Sequence, residues 1–410
     1  MSAPAEGAAE VTDPRPAEDR IETAVVVVGG GIAGLAMTAM LGAAGHETVL
    51  VDRMPARGAR DGRTTALLGP SSDILRRIGV WPQIEAAGAP LRRLALVNQR
   101  RGLVGGERVR FDAAEAGKAC FGHNVVNDEL RTILLQRIRA LPSVRHLAGR
   151  SVRDGSFGPA AATLVLDDGR RIVAALAIAA DGKDSSCRRL AGIGARSWRY
   201  GQTALVGAFR HERDHDDTST EIHTPGGPLT VVPLKGRASS YVWVEREADA
   251  RVFAGLRDDP FASALEARVG FLLGRVEGLI GRRMSYPLSG AIARRFHGPR
   301  LALIAEAAHS LHPIGAQGLN LSLRDVATLA DLVSDAASRE ADMGSVRLLR
   351  DYETRRRPDV LARLYGTDAL SRVTGSDWQA LRLVRGLGFD ILARAPGLRR
   401  TAMKAGLAPF

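Results

Sequence analysis

The sequence predicts an α/β fold: a discontinuous Rossmann-like domain for a dinucleotide, interrupted by an antiparallel β-sheet domain and followed by C-terminal helices. Three observations predict it. A glycine-rich turn joins a strand to a helix near the N-terminus, a series of strands fills the middle of the chain, and strand, turn and helix return in its last third. At 410 residues the chain is long enough for two or three such domains.

The first turn has the pattern of a dinucleotide site. The β-branched run Ala24–Val28 enters a GGGIAG motif that continues into a helical apolar pattern. In such a motif Gly29 allows the tight turn, Gly31 lets the backbone approach a pyrophosphate, and Gly34 lets the helix pack on the strand. The next strand ends at Asp52, about 20 residues on, where a carboxylate can accept hydrogen bonds from ribose hydroxyls. The alternative is a glycine turn that only closes a parallel sheet.

Two helices are predicted in the segment that follows. The first spans Ser71–Gly79, with Ser72 or Asp73 as its N-cap and the glycine as its end. The second spans Asn127–Leu141 and is amphipathic, because its apolar residues recur at helical spacing.

Short alternating runs predict strands through the middle of the chain. In chain order they are Leu94–Asn98, Arg108–Phe111, Ala162–Leu166, Arg171–Ala174, Ala177–Ala180, Ala204–Arg210, Glu221–His223, Pro228–Pro233 and Ser239–Glu245. Because helices are missing from the last part of this series, we expect an inserted antiparallel sheet there. Tyr241 and Trp243 alternate along one strand, which places both in the core on one sheet face. Phe261–Leu279 is predicted to return to helix.

A second turn follows the strand Ala177–Ala180 and begins with Asp181 and a glycine. Ser185 can cap the short helix that comes next, and Arg188 brings a positive charge towards any phosphate nearby. A plain β-turn with a capped helix explains the same residues, so this turn indicates a ligand site only together with the first turn and the third turn described next.

A third turn, Ala305–Asp325, lies between the β-like run Arg300–Ile304 and a helical apolar stripe. Its Gly315, Gly318 and Asn320 leave small side chains and free backbone N–H groups at a helix N-terminus. Such a terminus suits an anionic or electron-accepting ligand.

Composition limits the partners and the compartment. The net charge of +12 and the pI near 10.6 favour an anionic partner, such as nucleotide phosphates or acidic lipids. Two cysteines are too few for a disulfide framework, no metal-ligand cluster accompanies them, and we expect a cytoplasmic protein. Residues 1–20 are predicted to be a disordered tail without a signal peptide, and no apolar run is long enough to span a membrane. The basic amphipathic stretch 381–404 either rests on a membrane surface or a partner, or packs on the main body.

The three turns, in this order and with a single GxGxxG motif, resemble the single-component, class A flavin monooxygenases, whose FAD glycine motif, D-G motif and G-D motif occur in the same order. The resemblance covers residues 25–362. Within that class the sequence is most similar to the ubiquinone-biosynthesis hydroxylases, which include 2-polyprenyl-6-methoxyphenol hydroxylases. The segments that carry this similarity are DGRTTAL (61–67), IGVW (78–81), NVVNDEL (124–130), GPLTVVPL (227–234), HPIGAQGLNLSLRD (312–325) and YETRRR (352–357).

The resemblance implies a fold and a division into domains. The fold is a glutathione-reductase-like FAD domain of the p-hydroxybenzoate-hydroxylase type with an inserted antiparallel substrate sheet. The expected divisions are 21–90, 112–196 and 299–340 for the FAD-binding domain, 91–111 and 197–298 for the substrate domain, and 341–410 for the C-terminal helices.

The resemblance also implies roles for individual residues. Gly29, Gly31 and Gly34 would hold the FAD pyrophosphate, Asp52 with Arg53 the adenosine ribose, Arg63 and Asn127 the flavin side, and Asp181 both FAD and the passing NAD(P)H; Pro313, Gly318, Leu319 and Asn320 would lie against the isoalloxazine. His309 and His312 lie in the same loop, either at the flavin face or only fixing loop geometry. One departure stands out: the G-D pair of the family is Ala305-Glu306 here. Glu306 would keep the charge but move it by about one methylene, and alanine adds a methyl group.

The activity implied by the resemblance is hydroxylation of an aromatic ring with NAD(P)H and O2 through a flavin C4a-hydroperoxide, and no side chain is assigned as a base. The implied partners are a prenylated phenolic substrate, a quinone-biosynthesis complex and the inner membrane surface. Three alternatives stay open: hydroxylation of a soluble aromatic metabolite, a flavin-dependent prenyl reductase, and a non-catalytic FAD-binding scaffold. Turnover without a prenyl tail, product formation without O2, and failure of NAD(P)H to reduce bound FAD would distinguish them.

Overall fold

The computed structural model describes residues 20–55, 62–98, 107–224 and 226–374. The predicted N-terminal tail, apart from Arg20, and the basic stretch 381–404 lie outside these residues. The predicted C-terminal helical region is therefore described only up to Thr374.

The strands are β1 Arg20–Val28, β2 Thr48–Asp52, β3 Thr64–Leu68, β4 Ala89–Leu91, β5 Arg93–Asn98, β6 Glu107–Asp112, β7 Gly122–Val126, β8 Val144–Ala148, β9 Val152–Phe157, β10 Ala162–Leu166, β11 Arg171–Ala179, β12 Ala195–His211, β13 Thr218–Thr224, β14 Gly227–Leu234, β15 Ala238–Arg246, β16 Val276–Ala293, β17 His297–Gly298, β18 Leu301–Leu303 and β19 His309–Ser310. The helices are α1 Ile32–Ala43, α2 Gly69–Ile78, α3 Trp81–Ala87, α4 Asn127–Arg139, α5 Ser186–Leu190, α6 Glu247–Gly255, α7 Asp258–Leu273, α8 Gln317–Ser338 and α9 Val346–Thr374.

A parallel sheet forms the centre of the fold. Among the described residues its order is β18-β11-β1-β2-β8, with β17 antiparallel at one edge and the hairpin partners β10 and β9 beside β11. Strand β1 lies between β11 and β2, and Val25, Val26 and Val27 on it are fully buried. Since parallel strands present their carboxyl ends at one edge, the turns after β1, β11 and β18 meet there. All three sequence-predicted turns are therefore brought together.

A second sheet has the order β19-β16-β12-β15-β14-β13-β5-β6 among the described residues. Its pairs are antiparallel except β13 and β5, which run parallel. Helix α7 covers one face, where the ring centroids of Trp243 and Tyr241 lie 5.6 and 5.9 Å from that of Phe261. Both aromatic residues are almost fully buried, so their predicted place in the core is confirmed.

Several predicted boundaries were wrong for local reasons. Helix α2 begins at Gly69, and neither Ser72 nor Asp73 caps it, because Pro70 starts the helix earlier and the Ser72 hydroxyl donates to the Gly69 carbonyl inside it. Gly79, at φ 81°, does end it as predicted. The runs 171–174 and 177–180 form one strand, β11, which pairs with β10 and then continues between β1 and β18.

Two further departures from the prediction concern the end of one helix and an additional small sheet. The helix predicted over Phe261–Leu279 ends at Leu273, because Gly274 takes up φ 74° and β16 begins at Val276. A small antiparallel sheet, β3-β7-β4, was not predicted. It carries the TTAL part of the DGRTTAL segment. No helix in the described part of the chain is both long and apolar enough to cross a bilayer.

Candidate functional site

A cavity of about 990 Å³ lies between the carboxyl edge of the parallel sheet and one face of the second sheet. All three turns contribute to its wall, together with β3 and the start of α4. This volume is at the upper end of the range for ligand pockets, about 300–1,000 Å³. The arrangement brings thirteen sequence-predicted residues into one wall: Gly29, Gly31, Gly34, Asp52, Arg53, Arg63, Asn127, Asp181, Glu306, His309, Pro313, Gly318 and Leu319.

The glycines of the first turn differ in what surrounds them. A Cβ atom on Gly29 would lie 2.3 Å from the Ala180 carbonyl oxygen, and one on Gly34 would lie 1.9 Å from the Gly29 oxygen. Around Gly31 no atom lies within 4 Å of the Cβ position. The open side of Gly31 faces the cavity at the N-terminus of α1, whose free N–H groups favour an anion. This turn fits a dinucleotide pyrophosphate.

The Asp52 carboxylate occupies space next to Gly30, the glycine of the turn not yet described, and is held there by a cation. A Cβ atom on Gly30 would lie 2.0 Å from the Asp52 Cγ, so only glycine leaves room for this carboxylate. Arg131 on α4 donates to Oδ2 at 2.6 Å, and the Met54 N–H donates to Oδ1 at 2.9 Å. Burial would raise the pKa of Asp52, but His146, the Met54 N–H and Arg131 together hold it below its ordinary value. The carboxylate is therefore ionised and can accept further hydrogen bonds.

The second turn presents an acceptor that the protein itself does not use. The Cys187 N–H donates to Oδ2 of Asp181 at 3.1 Å, whereas the buried Oδ1 has no partner among the described residues. Ser185 caps α5 as predicted, because its hydroxyl accepts from the Arg188 N–H at 3.0 Å. The Arg188 guanidinium points to the Ala307 and Lys183 carbonyls, both at 2.8 Å. It thus ties the second turn to the third, and the positive charge that it brings towards a phosphate stays a prediction.

The third turn begins with the pair that departs from the family pattern. Ala305 takes up φ 54°, a left-handed conformation that favours glycine, so the methyl group adds strain at this position. Its N–H donates to Asp325 Oδ2 at 3.1 Å. Glu306 is exposed to the cavity. The Ala305-Glu306 pair therefore keeps a carboxylate at the cavity wall, and the backbone strain falls on Ala305.

A buried ion network from α8 and α9 holds this turn, and sequence reasoning missed it. Asp325 is fully buried and accepts from His309 Nε2 at 2.7 Å and from Arg356 Nε at 2.8 Å. Arg356 also donates to Asp359 at 2.8 Å, which accepts from Arg363 Nε at 2.8 Å. Arg363 in turn donates to the Gln317 side chain at 2.7 Å, at the other end of the turn. The acid at the end of HPIGAQGLNLSLRD and the arginines of YETRRR were the available signal.

The charges in this network depend on one another. Burial alone would raise the pKa of Asp325, but the neighbouring His309 and Arg356 outweigh it and hold the pKa below the ordinary value. Burial would lower the pKa of Arg356, and the Asp325 carboxylate raises it instead. Asp325 is thus an anion at neutral pH, and its hydrogen bonds hold the third turn in place.

Two of the predicted loop residues do not line the cavity. His312 is buried against Tyr200, with ring centroids 4.9 Å apart, and burial lowers its pKa to about 4. Asn320 binds the Leu68 N–H, the Ser71 hydroxyl and the Ala66 carbonyl, so its side chain joins the turn to β3. His309 does reach the wall, although its Nε2 is committed to Asp325. These residues set the shape of the turn.

The flavin-side residues predicted outside the three turns lie immediately before β3 and at the start of α4. Arg63 stacks on Tyr286, with its guanidinium carbon 5.2 Å from the ring centroid. Asn127 begins α4, accepts from the Thr65 hydroxyl at 2.6 Å and donates its N–H to the Arg63 carbonyl at 2.9 Å. The small sheet β3-β7-β4 and helix α4 therefore hold both residues at the cavity, next to the second sheet.

The second sheet supplies an apolar wall with one acid in it. Leu94, Leu96, Val232 and Val242 line the cavity from neighbouring strands, and Glu221 lies between them. Sequence reasoning assigned Glu221 only to a strand. Its alternation with the buried Ile222 was the available signal, because it predicts that Glu221 faces away from the core.

The sequence matches the family described as FAD binding domain over residues 22–364. It is 35% identical to "Ubiquinone hydroxylase UbiL" of Rhodospirillum rubrum, over 93% of this chain and 88% of that protein. It is 32% identical to "3-demethoxyubiquinol 3-hydroxylase" of Escherichia coli, over 94% of this chain and 98% of that protein.

Solved structures resemble the fold at lower sequence identity. The p-nitrophenol 4-monooxygenase PnpA of Pseudomonas putida superposes with a TM-score of 0.78 at 20% identity, over 94% of this chain and 98% of that one. A variant of HpxO from Klebsiella pneumoniae, complexed with FAD, gives a TM-score of 0.74 at 20% identity, with the same coverage of both chains. The predicted fold class is confirmed.

Proposed function

This chain belongs to the FAD-binding family of flavin-dependent monooxygenases, and we propose that it hydroxylates the aromatic ring of a polyprenylated phenol or quinol in ubiquinone biosynthesis. NAD(P)H would be the electron donor and O2 the oxygen source. One observation carries the proposal: the three nucleotide-type turns and an apolar sheet face enclose a single cavity. Relatives named as ubiquinone hydroxylases, similar over nearly the whole chain, support this substrate class.

The residues of the cavity fit FAD. The open side of Gly31 and the N-terminus of α1 would take the pyrophosphate, and Asp52 the ribose hydroxyls. The unpartnered Oδ1 of Asp181 needs a donor, which a cofactor hydroxyl or N–H group supplies. When bound, the flavin would accept electrons from NAD(P)H and activate O2. The protein would contribute orientation, charge and the exclusion of water.

The third turn is suited to the redox-active end of the cofactor. Pro313, Gly318 and Leu319 line the cavity at the start of α8. Backbone donors at a helix N-terminus stabilise negative charge that develops on a nearby group. Fixed by Asp325, these donors would keep their positions when the charge on the ligand changes. The apolar wall of the second sheet would then receive the aromatic ring and the first part of its prenyl tail.

Glu306 tests the departure from the family pattern. We expect Glu306→Asp to retain FAD as well as wild type or better, and Glu306→Ala to bind it about 10- to 150-fold more weakly, because one charge-assisted hydrogen bond is worth roughly 1.5–3 kcal/mol. Fluorescence titration of apoprotein with FAD measures this. Glu340→Ala, an exposed glutamate beyond α8, is the control. Equal FAD affinity in all these proteins would remove this carboxylate from the site.

The function itself is tested with the purified holoenzyme, NAD(P)H and a short-chain prenylphenol. We expect a product with one added oxygen atom that comes from isotopically labelled O2. Deletion of the gene in its host should lead to accumulation of an under-hydroxylated prenylphenol, as detected by mass spectrometry. An unchanged quinone, together with no labelled product in vitro, would contradict the proposal.

The same assay separates the alternatives. Equal turnover of a phenol without a prenyl tail would favour a soluble aromatic substrate. Product formation under strict anaerobiosis would favour a prenyl reductase. Unreduced FAD in the presence of NAD(P)H would favour a scaffold, a role that the named relatives do not support.

Association with a quinone-biosynthesis complex or the cytoplasmic face of the membrane is a further part of the proposal. It rests on the basic stretch 381–404 and on the bilayer origin of a prenylated substrate. Deletion of residues 375–410, which leaves α9 and its ion pairs intact, should abolish co-sedimentation with anionic vesicles. Equal sedimentation of the full-length and shortened proteins would assign that stretch another role.

A further inference from the structure

A single acid lies in the apolar wall that the second sheet presents to the cavity. The strand register places Glu221 of β13 beside Leu96 of β5 on one side and Thr230 of β14 on the other, and Thr230 beside Val242 of β15. All four residues line the cavity. The row therefore reads apolar, acid, hydroxyl, apolar across the face that we assign to the substrate.

The Glu221 side chain is held in one orientation. His223 Nε2 lies 3.2 Å from Oε1, and both side chains are largely buried, with 4% of His223 and 12% of Glu221 exposed. The Thr230 hydroxyl, on the neighbouring strand, lies close enough to the same carboxyl group to oppose the rise of its pKa. A carboxylate offers about four acceptor positions. These two contacts therefore leave positions for a ligand.

A buried glutamate elsewhere in the same sheet shows what is unusual here. Glu245 of β15 accepts from Trp243 Nε1 at 2.9 Å and pairs with Arg268 at 3.4 Å. Glu221 has no Lys or Arg in ion-pair contact among the described residues. Burying an uncompensated carboxylate is costly, so a purely structural role would be served better by an amide.

The charge state of Glu221 is poised for a ligand. Burial raises its pKa to about 7, and the Thr230 hydrogen bond only partly opposes this shift. Near neutral pH the group therefore ionises readily when a new donor arrives. A carboxyl group with a shifted pKa that also lines a cavity is a candidate for a functional site.

We propose that Glu221 is a catalytic residue that accepts a hydrogen bond from the ring hydroxyl of a phenolic substrate and so orients the ring. The inference rests on the proposed function, because it assumes that the second-sheet wall receives an aromatic alcohol. A carboxylate that accepts this hydrogen bond also increases the electron density of the ring, which favours attack by an electrophilic oxygen. The proton stays on the phenol oxygen during binding, and no other bond is formed or broken.

The test compares two probes that differ only at the hydroxyl. Holoenzyme is titrated, without NAD(P)H, with a farnesylated phenol and with its O-methyl ether, and binding is followed by flavin absorbance. We expect wild type to prefer the phenol by about 10-fold or more, since a hydrogen bond to a charged group has roughly that value. In Glu221→Gln and Glu221→Leu the preference should fall to about 2-fold or less, and Glu221→Asp should restore part of it.

Glu245→Gln is the matched control, because it changes a buried glutamate of the same sheet outside the cavity. It should keep the wild-type preference even if it lowers the unfolding temperature. If the Leu variant fails to fold, the Gln variant decides. Wild-type discrimination in Glu221→Gln would overturn the inference.

Turnover separates this inference from the proposed function. In Glu221→Gln we expect a higher KM for the phenol and more NAD(P)H oxidised per hydroxylated product. Normal hydroxylation by the variant would overturn the role of Glu221 and leave the function standing. Binding discrimination that depends on Glu221, in a wild-type protein that forms no hydroxylated product, would support the residue and overturn the function.

Discussion

Gly31→Val should leave the fold of the apoprotein intact and weaken FAD binding by about 5- to 150-fold, because a bulky group in a packed contact costs roughly 1–3 kcal/mol. The backbone of Gly31 is extended, at φ −69° and ψ 170°, which valine adopts without strain. No protein atom lies within 4 Å of the new Cβ atom. The side chain would occupy only the space that we assign to the pyrophosphate.

Two other glycines make this result specific. Gly34→Val should fail to fold, because even its Cβ atom would overlap the Gly29 carbonyl oxygen. Gly366→Val, in an exposed and open position of α9, should behave as wild type. Thermal unfolding of apoprotein and fluorescence titration with FAD give both quantities. Wild-type FAD affinity in Gly31→Val would place the pyrophosphate elsewhere.

Asp325→Asn should lower the free energy of unfolding by about 3–5 kcal/mol, because it removes the buried charge between His309 and Arg356 and leaves Arg356 with Asp359 alone. Asparagine has one acceptor oxygen, so either Arg356 or the third-turn donors, His309 and the Ala305 N–H, would face an NH2 group instead of an acceptor. We therefore expect FAD retention to fall together with stability. Urea unfolding of the apoprotein and the fraction of bound FAD after gel filtration measure the two effects.

The control for Asp325 is on the same helix. Asp331 is half exposed and pairs with Arg77 on α2, so Asp331→Asn should change stability by less than about 1 kcal/mol. The double variant Asp325→Asn, Arg356→Gln should lose less free energy of unfolding than the two single variants lose in sum, because both charges of the pair are removed together. Additive effects would show that the pair is not coupled.

The pH dependence of this contribution follows from the shift of Asp325. Its folded-state pKa lies below the ordinary value of 3.8. The stability it provides is therefore complete above that value and is lost as the pH falls through the folded-state pKa. Between pH 5 and 8 the difference between wild type and Asp325→Asn should stay constant. A difference that disappears towards pH 5 would contradict an ionised Asp325.

The sequence revealed features whose signal is local. The GGGIAG turn and the cap at Ser185 depend on residues within a few positions of one another, Asp52 follows at a fixed spacing of about 20 residues, and the structure has all three. Their meeting at one sheet edge follows from strand direction alone. Helix α2 was misplaced because a serine and an aspartate give a local capping signal that Pro70 overrides.

The features that were missed depend on pairing over long distances. Strand β3 has no partner near it in the sequence and pairs with β7, which begins at Gly122. Asp325 is visible in the sequence as part of a motif, but its ion pair with Arg356 is not, because Arg356 lies on the next helix. In the sequence Glu221 is an ordinary acidic residue of a strand. Only the parallel pairing of β13 with β5 places it within the apolar wall of the cavity. Such groups carry no periodicity that a single sequence reveals.

The central place of β1 has a consequence for how the protein is made. Strand β1 is synthesised first, yet its neighbour β11 and the next strand, β18, come much later. At about 5–20 residues per second, the ribosome takes on the order of ten seconds or more to cover the roughly 140 residues from β1 to the start of β11. During that time the run Val25–Val28 can pair only with β2, so one edge of this apolar strand stays unpaired on the nascent chain, and unpaired edges invite aggregation. We expect soluble yield to depend on chaperones that shield this run during translation, because the pocket that could recruit FAD does not yet exist.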